Sequence, residues 1–156
     1  MSSVNYTIQK VGNTMLKTTT KMLHARILYT MIRVYNLEKA LGFYVTILGM
    51  KEFRREEYRQ GRFTLVFIGY GDEESSAMIE LTYNWDISKY KHGTRFGHIA
   101  IGVEDIYATC HHLESMGVNI LRKPGPMLYT ATNNRCDVIA FIEDPDGYKI
   151  ELIENN

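Results

Sequence analysis

Residues 28–34 read Leu-Tyr-Thr-Met-Ile-Arg-Val, and residues 97–103 read Gly-His-Ile-Ala-Ile-Gly-Val. Both are apolar runs of strand length, and each is followed by a short polar residue able to cap a helix. Asn36 precedes Leu37, Ala40, Leu41, Tyr44 and Ile47, and Asp105 precedes Ala108, Leu113 and Met116. Gly49 and Gly117 then supply residues that tolerate the positive φ at which helices commonly end. A strand, a cap, a helical run and a terminal glycine therefore occur twice in the same order. Such internal likeness outranks any single local signal.

Each copy continues with three β-rich runs. In the first these are residues 51–55, 62–69 and 77–83; in the second, residues 119–123, 136–143 and 148–153. Gly69-Tyr70-Gly71-Asp72 and Asp144-Pro145-Asp146-Gly147 lead into the last run of each copy, with Pro fixing one dihedral and Gly permitting positive φ. The pattern predicts an α+β protein of two βαβββ modules, residues 26–86 and 95–156, within one domain. Residues 1–25 stand outside the repeat as an N-terminal extension without Asp or Glu, carrying Lys10, Lys17 and Lys21. They are read either as an arm packed on the domain or as an organelle-targeting segment.

The chain has 156 residues, and 18 Lys and Arg balance 18 Asp and Glu. Bulk electrostatics therefore gives no reason to expect nucleic acid or an anionic membrane as partner. Its two cysteines, Cys110 and Cys136, form no CxxC pair. With no apolar run of membrane-spanning length, they point to a soluble protein of a reducing compartment, the cytoplasm.

Side chains of a strand alternate between its faces, so the repeat can be read for chemistry. Glu80 in Met78-Ile79-Glu80-Leu81-Thr82 and Glu151 in Lys149-Ile150-Glu151-Leu152-Ile153 occupy equivalent places, and counting back from Val34 and Val103 sets Tyr29 opposite His98. Tyr29, Met31 and Arg33 share one face, as do Glu80, Thr82 and Asn84, and as do His98, Ala100 and Gly102. A single half-buried Glu is explained by an ion pair with Arg or Lys. Two at equivalent places beside an imidazole suit a divalent metal such as Zn²⁺, Ni²⁺, Co²⁺ or Mn²⁺ if the duplicated faces converge.

At these same residues the sequence resembles the glyoxalase I (lactoylglutathione lyase) family of the vicinal oxygen chelate superfamily. The segments that carry the resemblance are LYTMIRV (28–34), FYVTILGMK (43–51), LVFIGYG (65–71), MIELTYNW (78–85), FGHIAIGVED (96–105) and AFIEDPDGYKIELIE (140–154). The resemblance implies an open eight-stranded half-barrel, completed by homodimerisation with ligands contributed across the interface. It implies one divalent metal per site, Ni or Zn first and Co or Mn next, held by Glu80, His98 and Glu151. Glu151 and Glu80 would also be the catalytic carboxylates, while Arg33 and Asn84 would hold the γ-glutamyl end of glutathione.

The implied reaction converts the hemithioacetal of methylglyoxal and glutathione into S-lactoylglutathione through an enediolate. Met31, Phe67, Trp85 and Met127 are candidates for an apolar wall that excludes water.

Two features depart from the family pattern. The fourth ligand position, His or Gln in relatives, is Tyr29, a poor ligand while its phenol is neutral. It is read either as a direct ligand or as a gap filled by water, and His24 lies at the wrong strand parity to replace it. The segment from Met127 to Asp137 is also longer than in bacterial members. A metal-poor relative that binds small molecules without turning them over is the alternative that Tyr29 supports.

Overall fold

The computed structural model describes residues 25–133 and 136–155. The extension 1–25 therefore lies outside the described residues except for Ala25, as does His24. Eight strands and two helices follow in the expected order: β1 (Tyr29–Val34), α1 (Leu37–Leu41), β2 (Lys51–Tyr58), β3 (Phe63–Gly69), β4 (Met78–Asn84), β5 (Ile99–Val103), α2 (Ile106–Ser115), β6 (Asn119–Pro126), β7 (Val138–Glu143) and β8 (Lys149–Glu154). They form two four-stranded sheets of identical topology, ordered β1-β4-β3-β2 and β5-β8-β7-β6. In each, the first strand runs parallel to the last and the other pairs are antiparallel. Among the described residues no ladder joins the two sheets, so the eight-stranded arrangement is open.

The caps explain where the helices begin. Asn36 and Asp105 both hold extended backbone, and each side chain accepts the amide of the residue three further on, Lys39 at 2.9 Å and Ala108 at 2.8 Å. The two helices then differ. Thirteen residues separate Asn36 from Gly49 but twelve separate Asp105 from Gly117, since 49 − 36 = 13 and 117 − 105 = 12. The first module absorbs its extra residue as a π-helical turn, Gly42–Ile47, in which the Leu48 amide reaches back five residues to the Phe43 carbonyl at 2.9 Å. Gly49 and Gly117 end both runs at φ of 72° and 81°.

One face of each sheet is covered. Ile32, Val34, Val66, Ile68, Ile79 and Leu81 pack with Leu37, Ala40 and Tyr44, while Ala140, Ile142, Ile150 and Leu152 pack with Ile106, Cys110 and Leu113, all in one buried cluster. A fully buried aliphatic side chain contributes about 1.5–3 kcal/mol, so this cluster is the main source of stability. The opposite face of each sheet carries the residues of odd chemistry.

The modules meet at a polar seam formed by the turn 144–148. Tyr44 donates its hydroxyl to Asp144 Oδ2 at 2.8 Å, and Asp144 Oδ1 accepts the amides of Asp146 and Tyr148 at 2.9 and 2.8 Å. Burial outweighs these bonds and raises the Asp144 carboxyl above its ordinary range; it also raises Asp146 and drives the Tyr44 phenol far up. Among the described residues no helix is long and apolar enough to cross a membrane.

Candidate active site

Register places the polar residues of each uncovered face in a row. In the first sheet Met31 is paired with Glu80, Glu80 with Phe67, and Phe67 with Arg54. In the second, Ala100 is paired with Glu151, Glu151 with Phe141, and Phe141 with Arg122. One bulge of each sheet coincides, just before the arginine, between Glu52 and Arg54 and between Ile120 and Arg122, and the second sheet shifts register again between Arg122 and Gly125.

Rings at the two mate positions are held alike. Tyr29 meets Phe67 edge-on at 5.3 Å and 72°, and His98 meets Phe141 edge-on at 5.4 Å and 80°. A phenol carries its oxygen farther from the ring centre than an imidazole carries its nitrogen. The same ring position therefore presents the Tyr29 donor at a different depth from that of His98.

The carboxylates find different partners. His98 Nε2 lies 3.0 Å from Glu151 Oε2, with side chains 41% and 14% exposed. Glu80 is 7% exposed and accepts only the Thr82 hydroxyl at 2.8 Å, so its Oε2 has no partner among the described residues. That oxygen is not among the described buried atoms left without a partner, so it reaches solvent and is free to meet a cation. Two carboxylates and an imidazole suit a borderline divalent cation, so the donor chemistry fits.

A single chain does not assemble them. Among the described residues no group of three or more His, Cys, Asp or Glu side chains is placed to hold a metal. Within the described residues of one chain the duplicated faces do not converge, as an arrangement completed across a homodimer would require. The structure brings His98 to Glu151 and leaves Glu80 and Tyr29 on the other sheet, because each sheet's covered face is turned to its own helix.

Arg33 follows Met31 on the face of Glu80, exposed and with no carboxylate partner among the described residues. Asn84 donates to the Tyr90 hydroxyl at 2.8 Å. Their counterparts in the second sheet are Gly102 and Asn155, and there a Cβ on Gly102 would come within 2.4 Å of Asn155 Oδ1. The position that is open in the first sheet is filled in the second.

Of the expected apolar wall, Met31 and Phe67 lie on the uncovered face. Trp85 does not: its indole donates to buried Thr64 on the covered side at 2.9 Å, as the parity of the next residue after Asn84 requires. Met127 opens the long loop, whose described tip exposes Leu128 and Tyr129. Phe141, Tyr90 and Tyr148 escaped the sequence reading. Phe141 was recoverable, because aligning the third strands of the repeat sets it opposite Phe67.

Residues 26–152 match the Glyoxalase/Bleomycin resistance protein/Dioxygenase superfamily. The chain is 54% identical over 129 residues to the lactoylglutathione lyase of Neisseria meningitidis serogroup A, covering 83% of this chain and 90% of that protein. It is 55% identical over 130 residues to a probable lactoylglutathione lyase of Synechocystis, covering 83% and 95%. Among solved structures it resembles the trypanothione-dependent glyoxalase I of Leishmania major, with a TM-score of 0.70 and 42% identity over 83% of this chain and 86% of that one. It also resembles glyoxalase I of Zea mays, with a TM-score of 0.75 and 38% identity over 83% of this chain and 44% of the longer maize chain. The chain belongs to the glyoxalase I (lactoylglutathione lyase) family of that superfamily.

Proposed function

We propose that this chain is a metal-dependent lactoylglutathione lyase that isomerises the methylglyoxal–glutathione hemithioacetal to S-lactoylglutathione. The observation that carries the reading is the matched placement of Glu80 and Glu151 on two equivalent strands, with His98 already 3.0 Å from Glu151. High identity to lactoylglutathione lyases over most of the chain supports it.

In this reading the site forms in a homodimer, the face bearing Tyr29 and Glu80 closing on the partner's face bearing His98 and Glu151. Glu80, His98 and Glu151 hold one divalent metal, Ni or Zn in first place, which when bound supplies positive charge against the oxygens of the reacting centre. Glu151 takes the proton from the carbon that bears sulfur and returns it to the neighbouring carbon, with Glu80 on the opposite side of the cleft. Phe67 and Phe141 hold the flanking rings and keep water from the carboxylates. Arg33 receives the anionic end of glutathione through its forked donors, and Asn84 and Tyr90 stand beside it. Gly93-Thr94-Arg95 ahead of the His98 strand adds no negative charge, which suits glutathione itself. Free Cys110 and Cys136 fit a cytoplasmic location.

The test compares metal content and S-lactoylglutathione formation in stripped protein, with Ni²⁺ or Zn²⁺ restored, and in Glu151→Gln. Activity should require metal and fall by about a hundredfold or more in Glu151→Gln. A folded protein that takes up no metal and turns nothing over would instead be a binding protein, the reading that Tyr29 favours.

A further inference from the structure

Among the described residues the first strand lies at the edge of its sheet, paired only with β4. The Met78 amide donates to the Leu28 carbonyl at 3.0 Å, so even-numbered residues of this segment direct their backbone groups toward β4. Backbone groups alternate along a strand, and those of Arg33 and Tyr35 therefore face the open edge. Both residues find partners there in the turn before β8. The Arg33 amide donates to the Tyr148 hydroxyl at 3.2 Å, and that hydroxyl donates back to the Arg33 carbonyl at 3.1 Å. Two residues on, the Tyr35 amide donates to Asp146 Oδ1 at 3.0 Å, and the Tyr35 hydroxyl donates to the Pro145 carbonyl at 3.2 Å.

A hydroxyl can donate and accept at once, so Tyr148 stands in for one residue of a missing fifth strand. Its ring is fixed from two sides, by His92 at 4.3 Å and Phe96 at 5.4 Å, both edge-on. His92 is itself held, its Nε2 lying 2.9 Å from the Asp146 carbonyl. Burial raises the Tyr148 phenol, which keeps its proton, and with it both bonds, through the neutral range. Arg33 and Tyr148 line a common cavity of about 220 Å³ with Tyr90, Lys91 and His92. The first module offers no such clamp to the second, since Ala77 occupies the place of Tyr148 (151 − 80 = 71 and 148 − 71 = 77).

We infer that Tyr148 is a positioning residue: by gripping both backbone groups of Arg33 it fixes the direction in which the guanidinium meets the anionic end of the thiol cosubstrate. This rests on the assignment of Arg33 made above. An edge residue held only by its neighbours can roll about the strand axis, and a long side chain turns that roll into displacement at its tip.

The experiment is Tyr148→Phe in the full chain, which removes the hydroxyl and keeps the ring. Its readouts are the Kd of S-hexylglutathione by calorimetry and the separate kcat and KM for the hemithioacetal. Kd and KM should rise together, about three- to tenfold, with kcat within about twofold. In an Arg33→Ala background, Tyr148→Phe should add nothing further. Tyr44→Phe, which removes a hydroxyl from the same seam without touching Arg33, should lower the melting temperature and leave Kd unchanged.

An unchanged Kd in Tyr148→Phe, with Arg33→Ala clearly weakened, overturns the positioning role alone. An equal effect of Tyr44→Phe on Kd overturns it in favour of general loosening. If Arg33→Ala binds S-hexylglutathione normally, the assignment of Arg33 falls and the role of Tyr148 falls with it.

Discussion

The two uncovered faces share topology, one bulge, carboxylates and flanking rings, yet their polar groups are arranged differently. The second sheet holds its imidazole and carboxylate in contact and has its strand end blocked by Asn155 over Gly102. The first keeps a carboxylate with a spare oxygen and leaves its strand end open around Arg33. In the proposed function, proton chemistry would fall to the second copy and cosubstrate capture to the first. The donors that suit a metal are thus divided between the two sheets.

The comparison breaks most visibly by mixing. Glu80→Gln and Glu151→Gln should each be nearly inactive as pure proteins, but unfolding and refolding them together should restore about a quarter of wild-type activity. Half of the dimers are then mixed, and each mixed dimer keeps one intact site. No recovery would mean that the sites are not shared between chains.

A smaller effect is expected from making the first face more like the second. Tyr29→His places a nitrogen where the phenol now sits against Phe67. Affinity for Ni²⁺ or Zn²⁺ should rise on the order of tenfold to a hundredfold, read by competition with a chromophoric chelator. Unchanged affinity would show that this position lies outside the coordination sphere in this chain.

Smaller again is the hydroxyl that only the first face has. Thr82→Val removes the one donor to Glu80 among the described residues, and the metal-free protein should lose about 1–2 kcal/mol in urea denaturation.

The least effect concerns the seam. The folded state raises Asp144 above its usual 3.8, chiefly by burial, so folding favours the protonated form. That contribution is complete below the unfolded pKa and is lost as pH rises through the higher folded value. Stability should therefore decline in the window just above the ordinary carboxylate range, and Asp144→Asn should flatten that decline while still accepting from the two amides.

How much of this was legible depends on the range of each interaction. The caps at Asn36 and Asp105, the strand order and the mates Glu80 and Glu151 are local or periodic, and the repeat exposes them. The orientation of Trp85 turned on a single step of parity past the strand end. His98 lies one residue ahead of β5 instead of inside it. The clamp of Tyr148 on Arg33 joins residues 115 apart through backbone groups, which leave no trace in side-chain pattern. The homodimer across which the donor set would converge came from the family resemblance, because a pattern within one chain does not say which copy of a face closes on which.

The π-helical turn carries one more consequence. An added residue rotates everything after it by about 100° relative to an α-helix of the same start. Because the turn absorbs that rotation before Gly49, the strands of both modules keep the same phase while the side chains inside the turn do not. Tyr44 lies within it, and its hydroxyl is the buried bond across the seam to Asp144. Deleting one residue from 42–47 would bring the first module closer to the geometry of the second, yet swing that phenol off its partner. One of the places where the halves differ in length is thus a place where one half fastens to the other.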